Sequence, residues 1–173
     1  MSRRSRTPEE ETRRPVPVAL TVGVIVGVVI TALAVIGLMR SKMIVPRRSA
    51  RSFEETCAAI ERVVPAGDGW SFPIPSFDMY AKLAEKGQAP EGMRRIRLFF
   101  VCKPGVANRV LSDTPKIAAI MPCSWAVYEL EDDSVWLAKM NIAMMSKMFA
   151  GNVAAGMGEV AAADEQFMPE ILG

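Results

Sequence analysis

The stretch "VPVALTVGVIVGVVITALAVIGLM", Val16–Met39, runs for 24 residues without a charged side chain. As a helix rising 1.5 Å per residue it reaches about 36 Å, enough to cross the roughly 30 Å hydrocarbon core of a bilayer. A segment this apolar on every side reads as one held in lipid, with a removed signal sequence as the main alternative. A secretory signal has a shorter apolar centre followed by small residues at its cleavage point. Ala32 and Ala34 mimic that point but lie inside the run, and no lipobox-type Cys lies near its end. The expectation is an uncleaved single-pass anchor, with the lipid membrane as partner through Val16–Met39.

Orientation is balanced in the sequence. Arg3, Arg4, Arg6, Arg13 and Arg14 precede the run, and Arg40, Lys42, Arg47, Arg48 and Arg51 follow it. Equal counts give the positive-inside rule no preference for either direction. The expected arrangement is a short tail kept in the cytoplasm, with the larger domain on the exported side of an inner membrane. Inside the run Ala19, Gly23, Gly27 and Thr31 recur every four residues. That pattern lets a second helix approach closely, although Gly is common in membrane helices anyway.

The remainder suits one ordinary domain of a 173-residue chain. A formal charge of only +2 gives no basic face for displacing counterions from phosphates, so no nucleic-acid partner is expected. The expected organisation is a basic tail (1–15), the span (16–39), a basic linker (40–51, "RSKMIVPRRSAR") and a domain (52–173).

That domain opens with a helix signal. In "SFEETCAAIERVV", Ser52 and Glu55 have capping-box spacing, and Phe53, Cys57, Ile60 and Val64 share one face. Cys57 therefore reads as a buried structural thiol. A short strand fits Trp70–Ile74. A helix with Ser76 as N-cap and Gly87 as stop follows, with Phe77, Tyr80 and Leu83 on one face. "RRIRLFFVC" reads as a strand, "VANRVLSD" as a short helix, and "TPKIAAIM" as a further helical turn. "PCSWAVYELE" and "SVWLAKMNI" form a hairpin around Asp132–Asp133. Helical material covers Ala143–Ala150 and Asn152–Glu165. Together these predict a two-layer α/β domain, with helices packed on a small mixed sheet. Arg94, Arg95 and Arg97 read as charges blunting a strand edge. Trp125 and Trp136 read as partners across the hairpin, and Lys139 and Lys147 as solvated charges.

The segment "LFFVCKPGVANRVLSDTPKIAAIMPCSWAVYELEDDSVWLAKMN" resembles the domain-of-unknown-function 302 family. Members carry a strand, an Asn-Pro turn, a short helix, and a Leu-Pro or Met-Pro pair opening a strand that ends in a Val-Tyr-Glu type sequence, followed by a hairpin. Here the pair is Met121-Pro122 and the strand end is Val127-Tyr128-Glu129. Lys103-Pro104 departs from the Asn-Pro turn. The opening "RSFEETCAAIE" fits the first helix, and the resemblance covers roughly 50–172. It implies a compact α/β domain, often a homodimer, with no general reaction and therefore no catalytic residues to carry over.

Chemistry is limited by the absence of histidine. That removes the usual near-neutral acid–base group, the His-dependent nucleophile systems and the common His-containing zinc sites. No Gly-rich phosphate loop is present, so hydrolase and nucleotide-dependent readings have no support and a non-catalytic role is expected. Sulfur remains. Cys102 closes one strand and Cys123 opens the next, so antiparallel neighbours would bring them together and parallel ones would hold them apart. Met140, Met144 and Met148 recur at helical spacing if a helix begins early enough, with Met145 beside them. Thiolates and thioethers are soft ligands suited to Cu(I), whereas Met also fills cores and contact surfaces. Packing is the first reading of the methionines. A redox or Cu(I) site built from Cys102, Cys123, Met144, Met145 and Met148 is the alternative. Haem ligation has neither His nor an attachment motif behind it. The expected function is a membrane-tethered accessory or binding domain with an unknown protein partner.

Overall fold

A computed structural model describes residues 18–173. The basic tail, Val16 and Pro17 lie outside the described residues. The chain divides into two units, one ending at Arg40 and the other running from Ser41 to Gly173. Helix α1, Val18–Lys42, contains no buried residue. Its length and composition suffice to cross a membrane. Among the described residues, a Cβ added at Gly23 or Gly27 would meet nothing within 4 Å.

The second unit is built on a five-stranded sheet. Its strands are β1 (Ile44–Arg48), β2 (Phe77–Asp78), β3 (Met93–Val101), β4 (Cys123–Leu130) and β5 (Val135–Met140). They lie in the order β1-β5-β4-β3-β2. Every pairing is antiparallel, so the two-layer α/β class holds while the sheet is antiparallel rather than mixed. The crossover between β3 and β4, helix α4 (Pro104–Asp113) and a 3-10 turn (Pro115–Ile120), returns the chain to the end it left. The cis peptide Met121-Pro122 directly precedes β4. The stretch expected as a linker instead forms the edge strand β1, whose five residues pair with Trp136–Met140.

Helix α2, Phe53–Ala66, starts as its sequence predicts. Ser52 accepts from the Glu55 N–H, and the Glu55 side chain accepts from the Ser52 N–H. Its inward stripe of Phe53, Cys57, Ile60 and Val64 is buried to 2% exposure or less. The long helix α6, Gly151–Leu172, adds Phe167, Met168 and Ile171. Across from both helices the sheet supplies Phe99, Trp125, Val127 and Leu137, completing one core. Each large apolar side chain removed from water there contributes about 1.5–3 kcal/mol. The expected strand near Trp70 is reduced to a single bridge between Ser71 and Cys102. Helix α3, Met79–Ala84, is capped by Asp78 rather than Ser76, because Phe77 pairs with Leu98 of β3 first.

Trp125 and Trp136 do not meet. Trp125 lies opposite Lys139, and Trp136 opposite Tyr128. Side chains alternate along a strand, so the two indoles fall on opposite faces. Trp125 packs edge-on to Phe167, while the Trp136 indole N–H donates to Ser134 Oγ at 3.0 Å. The β3 arginines also differ from expectation. Arg95 and Arg97 lie over the Phe53 ring, at 4.4 and 5.8 Å from its centroid, and Arg95 donates to Glu129 at 2.6 Å. Arg94 pairs with Asp133 in the hairpin turn.

Candidate functional site

Alternation decides the site. Along β5, Val135, Leu137 and Lys139 point toward the helices and are buried, while Trp136, Ala138 and Met140 are half-buried on the other face. Lys139 is thus 7% exposed rather than solvated. On α6 the inward stripe includes Asp164, 1% exposed, three residues before Phe167. Lys139 Nζ donates to Asp164 Oδ2 at 2.8 Å. Glu165 Oε1 stands 3.8 Å from the same ammonium, and the Glu165 carboxylate accepts from Arg47 of β1.

The pair is only partly satisfied. Burial pushes the Asp164 carboxyl above its ordinary range, and the Lys139 hydrogen bond offsets part of that shift. Among the described residues Asp164 Oδ1 is buried without a hydrogen-bond partner, an arrangement that costs free energy unless a donor reaches it. Asp164 lines a cavity of about 310 Å³ with Lys42, Arg47, Lys139, Asn141 and Glu165. Lysine and arginine donors outnumber the carboxylates there. A larger depression of about 560 Å³ lies beside Arg48, Ser52 and Asp133, all exposed, and it holds no buried ion pair.

Both signals for this site are present in the sequence. Lys139 is two residues beyond Leu137 and four beyond Val135. Asp164 sits at helical spacing from Val160, Phe167 and Ile171. The β5 pattern is unreadable alone because its outward residues, Trp136, Ala138 and Met140, are as apolar as its inward ones.

The two cysteines fall close together. Val101 lies opposite Cys123 in the β3–β4 register, and Cys102 is the next residue. Both line a cavity of about 30 Å³ that also touches Trp70, Met121 and Val160, about the room of one water molecule. Burial, assisted by the nearby Asp164 charge, pushes the Cys123 thiol up to about 11. Burial raises Cys102 as well. Cys57 is buried on α2, with its thiol also raised to about 11. All three are free thiols. Thiols held this way stay protonated at neutral pH, which weakens them as nucleophiles and as metal ligands.

The methionines are not gathered on one stripe. Asn141 accepts from the Met144 N–H at 3.0 Å and starts the short helix α5, Ile142–Ser146. Met140 therefore stays in β5, Met144 and Met145 ride on α5, and Met148 lies beyond it. None of Met144, Met145 and Met148 lines the cysteine cavity, whose thioether belongs to Met121. Met157 packs against the Val106, Val110 and Val153 cluster. Among the described residues no three His, Cys, Asp or Glu side chains are grouped to hold a metal.

The DUF302 family profile, "Domain of unknown function DUF302", matches residues 45–172. The chain belongs to the DUF302 family. The match begins within β1, which makes that strand part of the DUF302 domain. An uncharacterized conserved DUF302 protein from Bacillus stearothermophilus has a similar crystal structure, with a TM-score of 0.58 and 22% identity. The similarity covers 75% of this chain and 95% of that one, and at this identity it is a likeness of fold. No curated protein matches the chain.

Proposed function

We propose that this DUF302 protein is a membrane-tethered binding domain that holds a small oxyanion between β1, β5 and α6. The observation that carries the reading is the unpartnered, buried Asp164 Oδ1 in a cavity of about 310 Å³ lined by Lys42, Arg47 and Lys139. Such a lining suits a ligand with several acceptor oxygens for the cations and one O–H for Asp164. Monoprotonated phosphate is the simplest example. The tether is α1, long and apolar enough to span a bilayer, and alkaline carbonate washing of membranes tests it. Calorimetric titration with inorganic phosphate tests the site. Heat of binding in the native chain that is lost in Arg47→Gln and Lys139→Met supports the reading. No heat, or equal heat in all three proteins, overturns it. A homodimer belongs to the same proposal, formed across the open sheet face of Ala126, Tyr128, Trp136 and Ala138, and light scattering in detergent measures it.

One observation favours a thiol reading in second place: Cys102 and Cys123 line a single cavity. Oxidation with diamide, followed by alkylation and mass spectrometry, distinguishes a Cys102–Cys123 disulfide from two alkylated thiols. Anaerobic Cu(I) titration against a Cys123→Ser control tests the metal version, in which Met144, Met145 or Met148 would add ligands.

A further inference from the structure

The chain enters the domain through Lys42 and Met43, and Ile44 pairs with Met140 at the end of β5. Asn141 then fastens three segments together. Its backbone N–H donates to the Met43 carbonyl at 2.8 Å. Its side-chain Nδ2 donates to the Lys42 carbonyl at 2.9 Å. Its Oδ1 caps α5 through the Met144 N–H. The start of the domain, the end of β5 and the α5 turn are thereby held at one end of the sheet.

That end exposes several large apolar side chains. Met43 is 38% exposed, Ile44 52%, Met148 60% and Phe149 36%. Lys42 and Lys147 beside them are exposed as well. Thioethers, a branched aliphatic chain and a ring flanked by ammonium groups match the headgroup boundary of a bilayer. There the apolar groups enter the acyl edge while the lysines reach back to phosphates. A protein partner would suit the apolar residues equally well. The lipid is favoured because Met43 and Ile44 follow directly on a helix long and apolar enough to cross a membrane.

We infer that Met43, Ile44, Met148 and Phe149, flanked by Lys42 and Lys147, seat in the headgroup layer of the bilayer that holds α1. The inference rests on the tether proposed above and adds a defined lipid-facing end to the domain. The methionine-rich α5 turn is, on this reading, a membrane-contact element.

The test uses the full chain reconstituted into liposomes of phosphatidylcholine and phosphatidylglycerol, some carrying lipids brominated near the headgroup. Phe149→Trp reports from the patch. Phe77→Trp reports from β2, the opposite edge strand, where the native side chain is also exposed at 40%. Emission of the native chain is subtracted to remove its own tryptophans. The expected result is bromolipid quenching roughly twofold or more stronger at position 149 than at 77, weakening when phosphatidylglycerol is omitted. Equal quenching in protein that stays with the liposomes through an alkaline wash overturns this inference and leaves the tether standing. A blue-shifted but unquenched Trp at 149 also overturns it, pointing to a protein cover. Protein that washes off the liposomes overturns the tether, and this inference with it.

Discussion

Lys139 Nζ and Asp164 Oδ2 meet at 2.8 Å beneath the sheet, with side chains only 7% and 2% exposed. A buried pair of this kind is costly to break and cheap to replace, because one remaining charge has no compensation. Lys139→Met alone should lower stability by about 3 kcal/mol. The double change Lys139→Met with Asp164→Leu should recover most of that loss. Urea denaturation of the three proteins in detergent measures the cycle, and a double variant as weak as the single one contradicts it.

Asp164 and Glu129 should move stability with pH in opposite directions. The Asp164 carboxyl is raised from its ordinary 3.8 by burial. The unfolded chain therefore gives up this proton first as pH rises, and stability falls through that window before levelling off. Asp164→Asn should remove the fall. Glu129 is lowered from 4.5 because Arg95 donates to it. Its contribution is full above 4.5 and is lost as pH drops through the folded value. Arg95 is 41% exposed, so that contribution stays below about 1 kcal/mol. Urea midpoints of Asp164→Asn and Glu129→Gln, taken between about pH 3 and pH 7, should deviate from the native curve with opposite slopes.

Gly156 and Gly158 lie on α6 but should respond oppositely to alanine. A Cβ at Gly156 would come within 2.6 Å of a Val110 methyl on α4, whereas one at Gly158 would meet nothing. Val110 is buried and β-branched, so it yields little. Gly156→Ala should cost about 1–2 kcal/mol net of its helix-propensity gain, while Gly158→Ala should gain about 0.5–1 kcal/mol. Thermal unfolding of both separates packing from propensity.

The thiols should react in order of access. Cys102 is half-buried and Cys57 buried, and Cys57 and Cys123 are both held up near 11. Pulsed alkylation near neutral pH, read by mass spectrometry, should modify Cys102 first and Cys57 last. Fast labelling of Cys57 would mean that the α2–sheet core opens readily.

Local chemistry made much of this protein legible in its sequence. The charge-free run fixed α1, the Ser52–Glu55 spacing fixed the start of α2, and turn residues at Asp132–Asp133 fixed the hairpin. Each depends on neighbours within a few residues. Tertiary structure alone decided what depends on a distant partner. "RSKMIVPRRSAR" contains too little apolar contrast to read as a strand, and it becomes one because β5 offers an unpaired edge. Lys139 looks solvated until α6 covers its face of the sheet and presents Asp164. Cys102 and Cys123 are brought together by antiparallel pairing across a crossover of about twenty residues. Alternation gives a strand two faces, but only the layer that packs against it determines which of them is the inside.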